Sequence, residues 1–373
     1  MRKQLRICRD EEMAKYKLND IAPIKQGVVP IEDKYWLLNL DMVESNTGRI
    51  IDYLYVAEDE IGASTVTFDT GNVLYSKLRP YLNKVVLPDQ PGYATSEMLP
   101  LRPNKEIITR EYLTYFLRSP HFVAYINEKT SGAKMPRANS SDLKAVEIEC
   151  PTIEEQKRIT TLFDEITSVI QLRQQELQKL DELIKARFVE MFGDPIQNPK
   201  GWDIVKIGDI ATDVRYGTSK PAVDGGQYPY LRMNNLTSDG HLDLKDLKYI
   251  DIPGNEIEKC VVRKGDVLFN RTNSIELVGK TAVFDLPEDM VIAGYIIRIR
   301  LNDRLLPEVL SQYMNLEALK EILRGMAKGA VNQANINAQE LQSIRVYVPN
   351  MELQKKFVLM KEQVDKSKVG NLM

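Results

Sequence analysis

From Ile159 to Met191, apolar residues recur at alternating spacings of three and four. The positions are Ile159, Phe163, Ile166, Ile170, Leu177, Leu180, Ile184, Phe188 and Met191, with one break at Arg173. This spacing keeps one stripe of an α-helix apolar and predicts a coiled-coil seam. Thr152 with Glu155 fits a capping box at the start. Gly193 can end the helix, with Pro195 beyond it. Roughly 40 residues at 1.5 Å each make a rod of about 60 Å. Glu154–Arg158 and Asp181–Lys185 are spaced as favourable pairs on its exposed side. A helix with such a stripe needs a partner. Behind Asn350 as N-cap, Leu353, Phe357, Met360 and Val364 repeat the spacing. The sequence stops at Met373, so this second helix is short and covers about half of the first.

On either side of the rod the pattern changes to short runs. Val73–Leu78, Val85–Leu87, Val267–Asn270 and Ile296–Leu301 read as strands bounded by Gly, Pro and Asp. Helical periodicity marks Tyr112–Ile126 and Pro307–Met326. Short apolar strands, Ala145–Cys150 and Ile344–Val348, close each stretch just before a proline.

These elements belong to a duplication. Lys17–Ala22 matches Lys206–Ala211 at an offset of 189, and Gly71–Tyr75 matches Gly265–Phe269 at 194. Asn139, Asp142, Leu143, Pro151, Glu154, Gln156 and Lys157 match Asn337, Glu340, Leu341, Pro349, Glu352, Gln354 and Lys355, all at 198. A slowly growing offset is what loop insertions produce in a duplicated domain, and a period near 195 is too long for a solenoid.

Composition changes this picture little. Apolar residues make up 43% and charged residues 28%, so a sizeable core is possible and disorder is not indicated. Three scattered cysteines, Cys8, Cys150 and Cys260, suit a reducing cytoplasm rather than a disulfide framework. The two histidines, His121 and His241, stand alone, so no metal site is expected. No signal peptide or membrane span is expected. The net charge of −3 means that a nucleic-acid reader needs locally basic faces or a basic partner. Catalytic motifs are missing. Gly279-Lys280-Thr281 ends like a phosphate-binding loop, but Ser274 stands where the first glycine should be. No Asn-Pro-Pro-Tyr or Gly-x-Gly-x-x-Gly motif is present.

Two mixed domains, each followed by a helix that opens Pro-x-x-Glu-x-Gln-Lys, resemble the specificity subunits of type I restriction-modification enzymes. The resemblance rests on Pro151–Lys157 and Pro349–Lys355, on Phe192-Gly193-Asp194-Pro195, on Gly201-Trp202, and on the Gly-(Asn/Asp)-Val-Leu strands. It covers essentially the whole chain. It implies α/β (α+β) target-recognition domains at residues 1–151 and 196–349, a central spacer and docking helix at 152–195, and a distal helix at 350–373 paired antiparallel with it. It implies a non-catalytic chain that reads a bipartite double-stranded DNA target, with two modification subunits and restriction subunits as partners. S-adenosylmethionine, ATP and Mg would be used by those partners, with no cofactor on this chain. The short second helix departs from the family pattern and puts docking of the second modification subunit in question.

DNA reading needs phosphate contacts for register and base-edge contacts for specificity. Alternation along the first copy's strand would put Tyr75, Lys77, Arg79 and Tyr81 on one face. The equivalent stretch in the second copy offers Arg271 and Asn273. A loop before each closing strand offers Lys134 and Arg137 in the first copy, and Asn332, Gln333 and Asn335 in the second. The bland alternatives are a half-exposed strand whose Lys and Arg stems cover apolar surface, and a connecting loop with Asn139 and Asn337 capping a turn. Two other functions compete: a coiled-coil scaffold carrying two peptide-binding modules, and an enzyme with a duplicated site at Asp20/Asp209, Asn139/Asn337 or Asp142/Glu340.

Overall fold

The computed structural model describes residues 14–132, 134–330 and 333–370. Cys8 and residues 1–13 of the 1–17 segment on which the signal-peptide expectation rests lie outside the described residues. The chain divides into two compact units, Met1–Gln171 and Leu172–Met373.

In the first unit, Ala14–Lys17 pairs antiparallel with Glu147–Cys150. The helical turn Leu18–Ile21 follows and buries both its end residues. Leu18 N–H donates to the Val146 carbonyl (2.8 Å). The second unit repeats this arrangement. Asp203–Lys206 pairs with Arg345–Val348, Ile207–Ile210 buries Ile207 and Ile210, and Ile207 N–H donates to the Ile344 carbonyl (2.9 Å). The Asp-Ile-Ala anchors therefore mark where each domain's two ends are tied together. Asp209 accepts from Lys206 N–H (2.9 Å), which is a capping role.

The Gly-(Asn/Asp)-Val-Leu strands are central in their sheets. Val73–Ser76 lies between Val85–Val86 and Met98–Leu101. Val267–Asn270 lies between Thr281–Val283 and Ile296–Leu301, with Ala211–Tyr216 added at the edge. Val73 faces Leu101 and Val267 faces Ile299, one pair in each copy. Each unit also holds a four-stranded sheet that the hydrophobic pattern did not reveal. In the first unit its order is Leu54–Val56, Tyr35–Leu38, Gly92–Thr95, Thr65–Phe68. In the second it is Lys248–Ile250, Tyr228–Leu231, Met290–Ile292, Val261–Val262. The inner pair is parallel in both. Runs of two to four apolar residues are too short for periodicity to identify.

The two helical stretches each prove to be two helices. Tyr112–Ile126 falls on Arg110–Arg118 and Pro120–Glu128, and Pro307–Met326 on Pro307–Met314 and Glu317–Met326. Pro120 disfavours helical backbone at Ser119, which turns extended and caps the Phe122 N–H (3.3 Å). In the second copy Leu316 takes the extended conformation, and Asn315 is anchored to the Thr281 carbonyl (2.6 Å).

The first long helix is Ile153–Phe192, 40 residues. Thr152 Oγ1 accepts from Glu155 N–H (3.3 Å), and Gly193 closes the helix at φ +87° with its N–H on the Val189 carbonyl (2.8 Å). The expected ion pairs differ in their partners. Arg158 pairs with Glu155, and Asp181 pairs with Lys368 (2.5 Å). Within the second unit, Ile184, Phe188 and Phe192 are buried with Phe357 of the second long helix, Met351–Gly370. Ring centroids lie 5.1 Å apart for Phe188–Phe357 and 5.5 Å for Phe192–Phe357. Leu353, Met360 and Val364 pack against the same core, and Leu177 and Leu180 are half-buried. Before Arg173 the seam is largely uncovered, in keeping with a second helix of 20 residues against a first of 40. Ile159 is half-buried, but Phe163, Ile166 and Ile170 are exposed by 43%, 46% and 52%. The described contacts of the second helix end near Arg173, whose Nη2 donates to the Lys368 carbonyl (3.5 Å). Phe163 packs instead beside Tyr115 (5.0 Å between centroids).

The glutamine of each Pro-x-x-Glu-x-Gln-Lys motif has a structural use. Gln156 is fully buried. Its Nε2 donates to the Ile107 (2.7 Å) and Pro151 (2.9 Å) carbonyls, and its Oε1 accepts from Thr109 N–H (2.8 Å). Gln354, also fully buried, donates to the Arg304 (3.0 Å) and Pro349 (2.8 Å) carbonyls and accepts from Leu306 N–H (2.8 Å). Each helix start is thus stapled to the loop before its domain's first full helix.

Candidate nucleic-acid interface

In the first copy the strand end and the later loop come together. Ala138 N–H donates to the Lys77 carbonyl (2.8 Å), Arg79 N–H donates to the Pro136 carbonyl (2.7 Å), and Leu78 bridges to Arg137. The strand itself stops at Ser76, so the single face expected for Tyr75, Lys77, Arg79 and Tyr81 does not form. Tyr75 is buried in the core, with its hydroxyl unpartnered, and burial raises its pKa. Arg79 is exposed and left-handed (φ +49°), opening the turn Pro80–Leu82 that ends at left-handed Asn83. A non-glycine residue held in this region stores strain, a feature that clusters at binding sites. Tyr81, in that turn, is exposed by 51%. Lys134 is exposed in the loop.

The two remaining cations of this copy are occupied. Glu97 accepts from Arg137 Nε (3.0 Å) and Nη2 (2.9 Å), and Lys77 Nζ lies 4.0 Å away. That hydrogen bonding raises the Arg137 pKa, and the guanidinium stays charged. The sequence reading missed Glu97. Its carboxylate lies 40 residues before Arg137, and no local spacing links them.

The second copy has the same backbone plan. Ile336 N–H donates to the Arg271 carbonyl (2.9 Å), and Thr272–Asn273 pairs with Gln333–Asn335, which pairs in turn with Lys328–Ala330. Arg271 is half-buried: it lies over the Tyr216 ring (4.8 Å), a cation–π contact, and its Nη1 donates to the Gly294 carbonyl (3.4 Å). Asn273 Nδ2 donates to Asn270 Oδ1 (2.9 Å), and Asn335 Oδ1 accepts from Thr272 Oγ1 (2.9 Å). Tyr216 and Tyr295, exposed by 42% and 50%, were also missed. Asn332 and the side chain of Gln333 lie outside the described residues.

Of the duplicated positions weighed as an enzyme site, Asp209, Asn139, Asn337 and Glu340 serve as caps. Asn139 accepts from Ser141 N–H (3.2 Å), and Asn337 accepts from Gln339 and Glu340 N–H (2.9 Å each). Gly279-Lys280-Thr281 forms no phosphate cradle. Lys280 is buried with Nζ on the Met233 carbonyl (2.9 Å), and Thr281 Oγ1 donates to the Gly279 carbonyl (3.1 Å). His241 does not stand alone: Asp181, Asp239 and His241 bring ligand atoms within 4.8 Å of one another. The Lys368 ammonium already neutralises Asp181 (2.5 Å) and Asp365 (2.9 Å) beside it. Cys150 and Cys260 are free and buried, and burial pushes the Cys150 thiol up to about 11. No helix among the described residues is long and apolar enough to cross a membrane.

Known proteins give this geometry a context. The family model described as type I restriction modification DNA specificity domain matches residues 10–182 and again 199–370. The EcoKI specificity subunit of Escherichia coli is 23% identical over 280 residues, covering 71% of this chain and 60% of that protein. A putative specificity subunit of the MjaX type I restriction enzyme, from Methanocaldococcus jannaschii, is 32% identical over 161 residues, 42% of this chain and 38% of that protein. The chain thus spans less than two thirds of these relatives. The crystal structure of a type I restriction-modification S subunit from M. genitalium shares the fold. Its TM-score is 0.53 at 15% identity, covering 98% of this chain and 92% of that one.

Proposed function

Since the chain belongs to the type I restriction-modification DNA specificity family, we propose that it is a non-catalytic subunit reading a bipartite double-stranded DNA target. In this reading, residues 1–151 and 196–349 are target-recognition domains, each reading one half. Residues 152–195 form the spacer, and residues 350–373 pair with it. The paired contacts Phe357–Phe188 and Lys368–Asp181 support an antiparallel arrangement of the two helices. Two modification subunits dock on the helices and restriction subunits complete the assembly in the cytoplasm. S-adenosylmethionine, ATP and Mg belong to those partners.

One observation carries the reading. Both copies bring a strand end and a distant polar loop side by side, through Lys77–Ala138 in one and Arg271–Ile336 in the other. The first copy exposes Arg79, Lys134 and Tyr81 at that junction, and the second presents half-buried Arg271, Asn273 and Asn335 beside exposed Tyr216 and Tyr295, which is chemistry suited to phosphates and base edges. The test is to produce the chain with the modification subunit of its host and map methylated adenines genome-wide. The expected result is a split motif with two short, different halves around a fixed gap. A folded, partner-bound chain that directs no motif would overturn the reading. A peptide-binding scaffold would show no DNA affinity, whereas a DNA reader loses affinity steeply as salt rises.

A further inference from the structure

The two copies can be matched side chain by side chain at the proposed interface. Lys77 N–H donates to the Glu97 carbonyl and Arg271 N–H to the Tyr295 carbonyl, both at 2.9 Å. Their own carbonyls accept from Ala138 and Ile336. Leu78 bridges to Arg137, as Thr272 pairs with Asn335. Lys77 therefore corresponds to Arg271, Glu97 to Tyr295, and Arg137 to Asn335. The backbone is shared while the chemistry is exchanged: a cation–carboxylate–cation group in the first copy, and a cation with tyrosine and amide in the second.

We infer that the position shared by Arg137 and Asn335 contacts a base, with Arg137 reading guanine in the first half-site and Asn335 reading adenine in the second. The inference rests on the DNA-reading function proposed above. Glu97 takes the Nε and Nη2 edge of Arg137. This fixes the guanidinium plane; Nη1 also donates one N–H to the Met135 carbonyl (3.4 Å), which leaves one outer N–H on each of Nη1 and Nη2 for guanine O6 and N7. At 43% exposure the side chain is open to a ligand, and its fixed rotamer reduces the entropy lost on binding. Glu97 is thus a positioning residue. Asn335 is held by Thr272 Oγ1 on one lone pair of Oδ1. The second lone pair and the amide N–H groups match adenine N6 and N7.

The test starts from the methylated motif of the wild-type complex. Binding is then measured to duplexes carrying each of the four base pairs at every motif position. Wild type should prefer guanine at one first-half position and adenine at one second-half position by roughly ten- to hundredfold. Arg137→Lys keeps the charge and the salt dependence but loses the paired donors. It should reduce the guanine preference to about threefold or less and leave the second half unchanged. Asn335→Ala should do the converse. Glu97→Gln should weaken the same preference as Arg137→Lys, without loss of affinity for unrelated DNA. A clear wild-type motif whose preferences survive both Arg137→Lys and Asn335→Ala would overturn the inference and leave the DNA-reading function intact. Absence of any wild-type motif would remove both.

Discussion

Replacing Gln156 by alanine should destabilise the first unit and spare the second. The substitution deletes three hydrogen bonds at a side chain with no solvent exposure. Thr109 N–H and the carbonyls of Ile107 and Pro151 lose their partner. A buried polar group left unsatisfied costs about 1–3 kcal/mol, but these three residues are half-buried and water can reach part of the gap. The expected loss is therefore about 2–3 kcal/mol, which corresponds to about 1–1.5 M in urea midpoint for a slope near 2 kcal/mol/M. The two tryptophans provide the assay, since Trp36 lies in one unit and Trp202 in the other. In a Trp202→Phe background, Trp36 fluorescence reports the first unit. In a Trp36→Phe background, Trp202 reports the second. Gln156→Ala should shift only the first signal and Gln354→Ala only the second. Gln156→Glu should be worse than alanine at neutral pH, because a carboxylate cannot donate to two carbonyls. A shift below about 0.5 kcal/mol for both alanine variants, the size of an ordinary surface substitution, would refute the stapling argument.

Two further outcomes follow from packing and charge. Phe357→Ala removes a fully buried ring between Phe188 and Phe192 and should cost about 3–5 kcal/mol in the Trp202 signal. Phe163→Ala, at an exposed seam position, should cost far less. Burial, with Arg324, Lys280 and Lys185 nearby and only Glu317 opposing, pushes the Lys320 amine down to about 7. Above about pH 7 the folded state releases this proton, while the unfolded chain keeps it up to the ordinary lysine value near 10.5. Stability of the second unit should therefore rise with pH between those limits. Lys320→Met should raise stability at pH 6 by a few kcal/mol and flatten the rise toward pH 9. The Gly279 carbonyl keeps Thr281 Oγ1 as a donor in this variant. Parallel urea-midpoint curves for wild type and variant from pH 6 to 9 would contradict this.

The amino-acid order alone determined the duplication, the long helix with its caps, the central strands and the family resemblance. These features are local or periodic: Thr152 and Glu155 are one turn apart, and the seam repeats every three to four residues. That the uncovered half is the one carrying Phe163, Ile166 and Ile170 was not visible in that periodicity, because an apolar stripe reports a preference for cover and not what supplies it. Only the tertiary structure decided how the candidate interface is composed. Glu97 meets Arg137, Tyr216 meets Arg271, and Thr272 meets Asn335 across separations of 40, 55 and 63 residues. No window of sequence carries such pairings. They exist because sheet pairing brings distant backbone into register, and the side chains that then find each other set the charge and hydrogen-bonding character of each half.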